Sequence, residues 1–69
     1  MGPDVQNVYA YRAKIRRLGI THARFGRICR VDPRTERRWA GGEREIPGPA
    51  EALLDLLLDR PELLALMPE

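Results

Sequence analysis

The sequence predicts an all-α domain of four to five short helices. Three observations carry the prediction. Apolar residues recur at three- and four-residue spacing in successive segments, no alternating strand pattern survives, and glycine, proline and cap-forming residues punctuate the chain between those segments.

Each element has its own local signals. Asp4 suits an N-cap, and Val8, Tyr11, Ile15 and Leu18 follow at helical spacing, with Val5 one turn earlier. Tyr11 fits the buried face of this first helix and Tyr9 its edge. Lys14, Arg16 and Arg17 lie on the other faces, the two arginines near the negative end of the helix dipole. Gly19 stands where a left-handed glycine ends a helix. Thr21 caps a second helix from about His22 to Cys29, with Phe25, Ile28 and Cys29 available to pack. Arg30-Val31 forms a turn. Asp32-Pro33 then starts a third helix, because aspartate caps and proline fits the first helical position, where its missing N–H costs nothing. That helix, Pro33 to Ala40, carries Arg34, Thr35, Arg37 and Arg38 and closes on Trp39 before Gly41-Gly42 stops it. A loop from Glu43 to Gly48 holds Arg44 and Ile46. Pro49 opens a fourth helix bearing Leu53, Leu54, Leu56, Leu57 and Leu58, and Arg60-Pro61 breaks it. A last short helix runs from Pro61 to about Met67 and brings Leu63, Leu64 and Leu66.

With 69 residues the chain makes a single domain, 1–69. A domain this small buries only about 60% of the surface its unfolded chain exposes, so its core must be economical or extended by a partner. Net charge is +2, but residues 1–45 hold eleven Lys/Arg against five Asp/Glu, while residues 46–69 hold one Arg against five acids. Ten of the eleven basic residues are arginine, whose planar fork suits phosphates and base edges. This asymmetry predicts a polyanion on one side and another protein surface on the other; the plain alternative is a solvated charged face.

Other classes are disfavoured. A single cysteine, Cys29, forms no internal disulfide and fits a reducing compartment. One cysteine and one histidine do not fill a structural zinc shell, so no metal and no cofactor is expected. The start Met1-Gly2-Pro3-Asp4 lacks the pattern of a signal peptide, and uninterrupted apolar runs such as Leu56 to Leu58 are far too short to span a bilayer. The expectation is a cytoplasmic protein with no membrane partner. Without paired carboxylates, a metal cluster or a glycine-rich phosphate loop, it is not expected to be an enzyme.

The second and third helices, both about two turns long and joined by a tight turn, have the mechanical outline of a helix-turn-helix. The stretch Ile20-Thr21-His22-Ala23-Arg24-Phe25-Gly26-Arg27-Ile28-Cys29-Arg30-Val31-Asp32-Pro33-Arg34-Thr35-Glu36-Arg37-Arg38-Trp39, with the following Ala40-Gly41-Gly42-Glu43-Arg44-Glu45-Ile46-Pro47, resembles the helix-turn-helix of phage Cro-like and related bacterial regulators. The likeness spans roughly residues 10–58. It implies a lambda-repressor-like fold with a helix-turn-helix over about 21–40; beside it, the leucines themselves mark a dimerisation or capping tail over about 49–67. Phe25, Cys29, Val31 and Trp39 match the family's buried positions. Three positions depart from the pattern. Gly26 replaces a small residue, usually alanine. Arg30 replaces the usual left-handed glycine, predicting strain of about 1 kcal/mol. Glu36 replaces Val or Ile, so either it reaches the rim and pairs with an arginine or the third helix is rotated; on that view Glu36→Val is neutral or stabilising.

The resemblance implies roles for individual residues. Arg34 stands where the family reads base edges, and a bidentate contact to guanine is arginine's commonest specific pairing. Arg38 shares that face and Arg37 flanks it, either holding a base or a phosphate, while Thr35 reaches a phosphate or a thymine methyl. Thr21, His22, Arg24, Arg27, Arg44, Arg16 and Arg17 are candidate phosphate contacts, and Arg44 leads the arginines among them because its loop follows the recognition helix. Thr21 is foremost a cap, Trp39 foremost core, and Cys29 a small hydrophobe without an activating histidine.

Leu53, Leu54, Leu57 and Leu58 already supply one apolar stripe, so Leu56, Leu63, Leu64, Leu66 and Met67 read as surplus. Surplus apolar surface predicts a homodimer interface at the acidic end; the alternative is that the last helix folds back on the monomer core. The expected function is a sequence-specific double-stranded DNA-binding regulator, a dimeric autorepressor without a ligand domain that covers a promoter at an inverted repeat. Rival readings are an antitoxin or adaptor that binds a partner protein through its leucine-rich end, and an interaction module that has lost DNA.

Overall fold

The computed structural model describes residues 5–69, with side chains described from Val8 onward. The expected Asp4 cap and the Val5 side chain lie outside the described residues. The fold is all-α, in the order α1 (Val5–Leu18), α2 (His22–Ile28), α3 (Pro33–Gly41), α4 (Gly48–Asp59) and a short 3-10 helix, α5 (Pro61–Leu66).

The boundaries follow from local chemistry. Gly19 adopts φ 78° and its N–H reaches the carbonyls of Ile15 and Arg16, closing α1. The Thr21 hydroxyl accepts from the Arg24 N–H at 3.0 Å, which satisfies a donor left free at the start of α2. At the other end of α2 the Val31 N–H bonds the Gly26 carbonyl and the Arg30 N–H the Arg27 carbonyl, with Arg30 at φ 60°. That is a Schellman closure with arginine in the left-handed position that glycine usually fills. A side chain there costs roughly 1 kcal/mol, so Arg30→Gly is expected to raise stability by up to about that amount in a denaturant series.

Asp32 then accepts from the Arg34 N–H at 2.8 Å, and Pro33 opens α3. Gly42, at φ 80°, ends it, while the N–H groups of Glu43 and Arg44 fold back to the Arg38 carbonyl. Only glycine fits there, since a Cβ at this position would come within 2.9 Å of Val8 Cγ2 on α1.

The core is formed by Tyr11 and Ile15 from α1, Phe25 and Ile28 from α2, Trp39 from α3, and Ala50, Leu54 and Leu57 from α4. Tyr11 sits at its centre, with ring centroids 5.9 Å from Phe25 and 6.5 Å from Trp39, the latter edge-on. Gly26 lets α2 approach α3 closely: an alanine Cβ there would lie 3.3 Å from Glu36 Cβ, tighter than ordinary packing.

Two expectations need correction. The last segment is a 3-10 helix, and its Leu63 and Leu64, with the following Met67, pack against the core of their own chain. Pro61 interrupts α4 and turns the chain back, so these three side chains complete the monomer core instead of standing free. Leu56 and Leu66 are the two tail leucines left prominently exposed, at 48% and 79%. Glu36, for which the sequence left open a place at the rim beside an arginine or a rotated third helix, is 2% exposed.

Candidate nucleic-acid interface

Helix α3 separates two chemistries by its own periodicity. Glu36 and Trp39 face inward, while Arg34 and Arg37 are exposed and Arg38 and Thr35 half-buried. Arg34, Arg37, Arg38 and Gly41 follow three- and four-residue spacing, so they form one stripe on the outer side of the rod. Among the described residues no ion pair or side-chain hydrogen bond engages the guanidinium groups of Arg34, Arg37 or Arg38. Arg44 is exposed on the loop that returns to the end of α3.

The inward side of α3 holds what the sequence reading missed. Glu36 Oε2 accepts from the Tyr11 hydroxyl at 2.6 Å and lies 2.6 Å from His22 Nδ1. One buried carboxylate therefore joins α1, α2 and α3. Its partner is not an arginine, as expected from the sequence, because Glu36 sits in the same inward face as Trp39. The available signal was Tyr11: a tyrosine on a core-facing position needs a partner for its hydroxyl, and Glu36 is the acid on an inward position of the facing helix. Burial, then the hydrogen bond and charge of Glu36, push the Tyr11 phenol well above the usual tyrosine range, so it stays a donor.

Cys29 is half-buried beside this network. Burial, and next the Glu36 charge, push its thiol up to about 11. A thiol moved from near 9 to about 11 carries roughly a hundredfold less thiolate at pH 8, so native Cys29 should react with a thiol reagent about a hundredfold more slowly than the unfolded chain. Equal rates would contradict this packing. The sign for stability follows: the contribution is fully present below the unfolded thiol's pKa and is lost as pH rises through about 11.

The predicted phosphate contacts divide. Thr21 is exposed at the start of α2, its hydroxyl engaged as the cap. His22 keeps a partly exposed ring, with Nδ1 committed to Glu36. Arg24 and Arg27 are turned elsewhere: Arg24 donates to the Pro68 and Leu64 carbonyls, both at 3.0 Å, and Arg27 donates to the Glu69 carbonyl. They clamp the C-terminal segment, a partnership forty residues distant that sequence spacing does not reveal. On α1, Arg12 and Arg16 line a groove of about 520 Å³ with Tyr9 and with Gly41 and Gly42 at the end of α3, whereas Arg17 does not line it. Arg12 had no place in the sequence-based site and is brought to the end of α3 by the α1–α3 packing. Lys14 is taken by Asp55 of α4 at 2.6 Å, a partly exposed pair worth little to stability.

Among the described residues no helix is long and apolar enough to cross a membrane, and no group of three His, Cys, Asp or Glu side chains could hold a metal ion. No protein-family profile, curated protein or solved structure matches this chain.

Proposed function

We propose that the chain is a helix-turn-helix regulator of the Cro-like kind, binding double-stranded DNA with α3 in the major groove. The observation that carries this reading is the outward arginine stripe of α3: Arg34, Arg37 and Arg38 on one side, without internal partners among the described residues, and Glu36 and Trp39 on the other. An arginine fork presented from a short, rigidly seated helix is suited to guanine O6 and N7. Arg34 and Arg38 read bases, Arg37 and Thr35 complete the edge contacts, and Thr21, His22 and Arg44 hold the flanking phosphates, joined by Arg12 and Arg16 of α1.

The protein acts as a homodimer on an inverted repeat, through the acidic end where Leu56 and Leu66 stay exposed. Bound there, it blocks a promoter by occupancy. Fluorescence anisotropy with a labelled duplex tests the reading. If a dimer makes ~6–8 phosphate contacts, log K falls with log salt at a slope of roughly −5 to −7. Absence of binding even at low salt would refute DNA as the ligand.

A further inference from the structure

The chain has one histidine, and the structure fixes which of its nitrogens is free. His22 Nδ1 lies 2.6 Å from Glu36 Oε2, an oxygen that already accepts from the Tyr11 hydroxyl. A buried carboxylate oxygen is an acceptor here, so Nδ1 carries the hydrogen. The ring retains 36% exposure, and no buried side-chain nitrogen or oxygen lacks a partner among the described residues. Among the described residues Nε2 forms no hydrogen bond, and the partly exposed ring leaves it accessible to water.

This tautomer has a consequence for phosphate. With Nδ1–H given to Glu36, the neutral ring offers only a lone pair at Nε2, which a phosphate oxygen does not accept favourably. Protonation turns Nε2 into a charged donor, with the Glu36 carboxylate behind it to balance the charge. The groups facing the ring are the Tyr11 phenol from α1, with centroids 5.7 Å apart, and Glu36 from α3. Arg24, on its own helix, is turned to the Leu64 and Pro68 carbonyls. Burial, then the hydrogen bond and charge of Glu36, hold the Tyr11 phenol protonated well above the usual tyrosine range, so it stays a donor to Glu36.

We propose that duplex binding takes up a proton at His22, with Glu36 as the positioning residue that reserves Nε2 for a DNA phosphate. The inference rests on the DNA-binding reading above and extends it to proton linkage. Affinity for any duplex rises as pH falls, because the contact is to backbone and carries no sequence information.

The test uses the full chain and a fluorescein-labelled duplex of arbitrary sequence at about 50 mM salt, where backbone contacts dominate. Affinity is expected to be about tenfold tighter at pH 6 than at pH 8, and His22→Gln is expected to flatten that dependence. Since the chain has a single histidine, its imidazole C–H signals by NMR are unambiguous, and their titration curve should move to higher pH when duplex is added. That second reading requires no variant to fold. Glu36→Gln, which keeps an acceptor for Tyr11, should shrink the shift. Duplex binding that is independent of pH, with an unmoved imidazole titration, overturns proton linkage and leaves DNA binding standing; a chain that binds no duplex at any pH overturns both.

Discussion

Replacing Glu36 with valine is expected to lower stability by about 1–2 kcal/mol, although aliphatic residues are the ones the Cro-like resemblance implies at this position. Valine removes the acceptor for a buried Tyr11 hydroxyl and for His22 Nδ1. An unsatisfied buried hydroxyl costs roughly 1–3 kcal/mol, whereas His22, being partly exposed, recovers a water. The opposing gain is that a carboxylate no longer has to be desolvated, which is why the loss is not larger. In a domain of this size the change corresponds to a fall in melting temperature of about 5–15 °C. Coupling identifies the cause. Tyr11→Phe should destabilise the parent protein, yet be neutral or stabilising once Glu36 is valine, because the unpaired hydroxyl leaves with the partner it lost. Additive effects of the two substitutions in urea midpoints would mean that the hydrogen bond does not hold α1 to α3.

The second large effect is on recognition. Arg34→Ala and Arg38→Ala should each weaken binding to the preferred sequence about tenfold to a hundredfold, and each should relax discrimination at one base position. Neither change should disturb the fold, since both guanidinium groups lie on the outer side of α3 without internal partners among the described residues. Arg44→Ala should weaken all duplexes alike and make the salt dependence shallower by about one per protomer. Arg24→Ala and Arg27→Ala provide the contrast. Their guanidinium groups bind the carbonyls of residues 64, 68 and 69, so their loss should appear in stability and leave the salt dependence unchanged.

What was legible in the sequence was whatever short-range chemistry decides. Thr21 and Asp32 cap because their oxygens reach an N–H two or three residues away, and Gly19, Arg30 and Gly42 take positive φ because each closes a helix. Trp39 and Tyr11 lie inward because helical periodicity places them there. Only small boundary differences arose: α2 ends at Ile28 instead of Cys29, α3 includes Gly41, and α4 begins at Gly48 instead of Pro49.

Pairings between distant segments were not legible. Glu36 meets residues 25 and 14 positions away, so its environment depends on how three helices pack, and the family resemblance argued for an apolar side chain. The leucine-rich tail was ambiguous for a related reason. Periodicity shows that a helix has an apolar face but not which surface covers it. Here Leu63, Leu64 and Met67 found their own core, while Arg24 and Arg27 secured the chain beyond. The candidate interface shared this limit: the outer stripe of α3 was readable, but Arg12 was visible only once α1 was packed beside Gly41 and Gly42.

Selection of bound duplexes from a random pool tests the central claim most directly. Enrichment of an inverted repeat whose half-sites contain guanines, with one of those positions relaxed by Arg34→Ala, is the predicted outcome. A pool that stays random through successive rounds at low salt would mean that the arginine stripe of α3 does not read DNA.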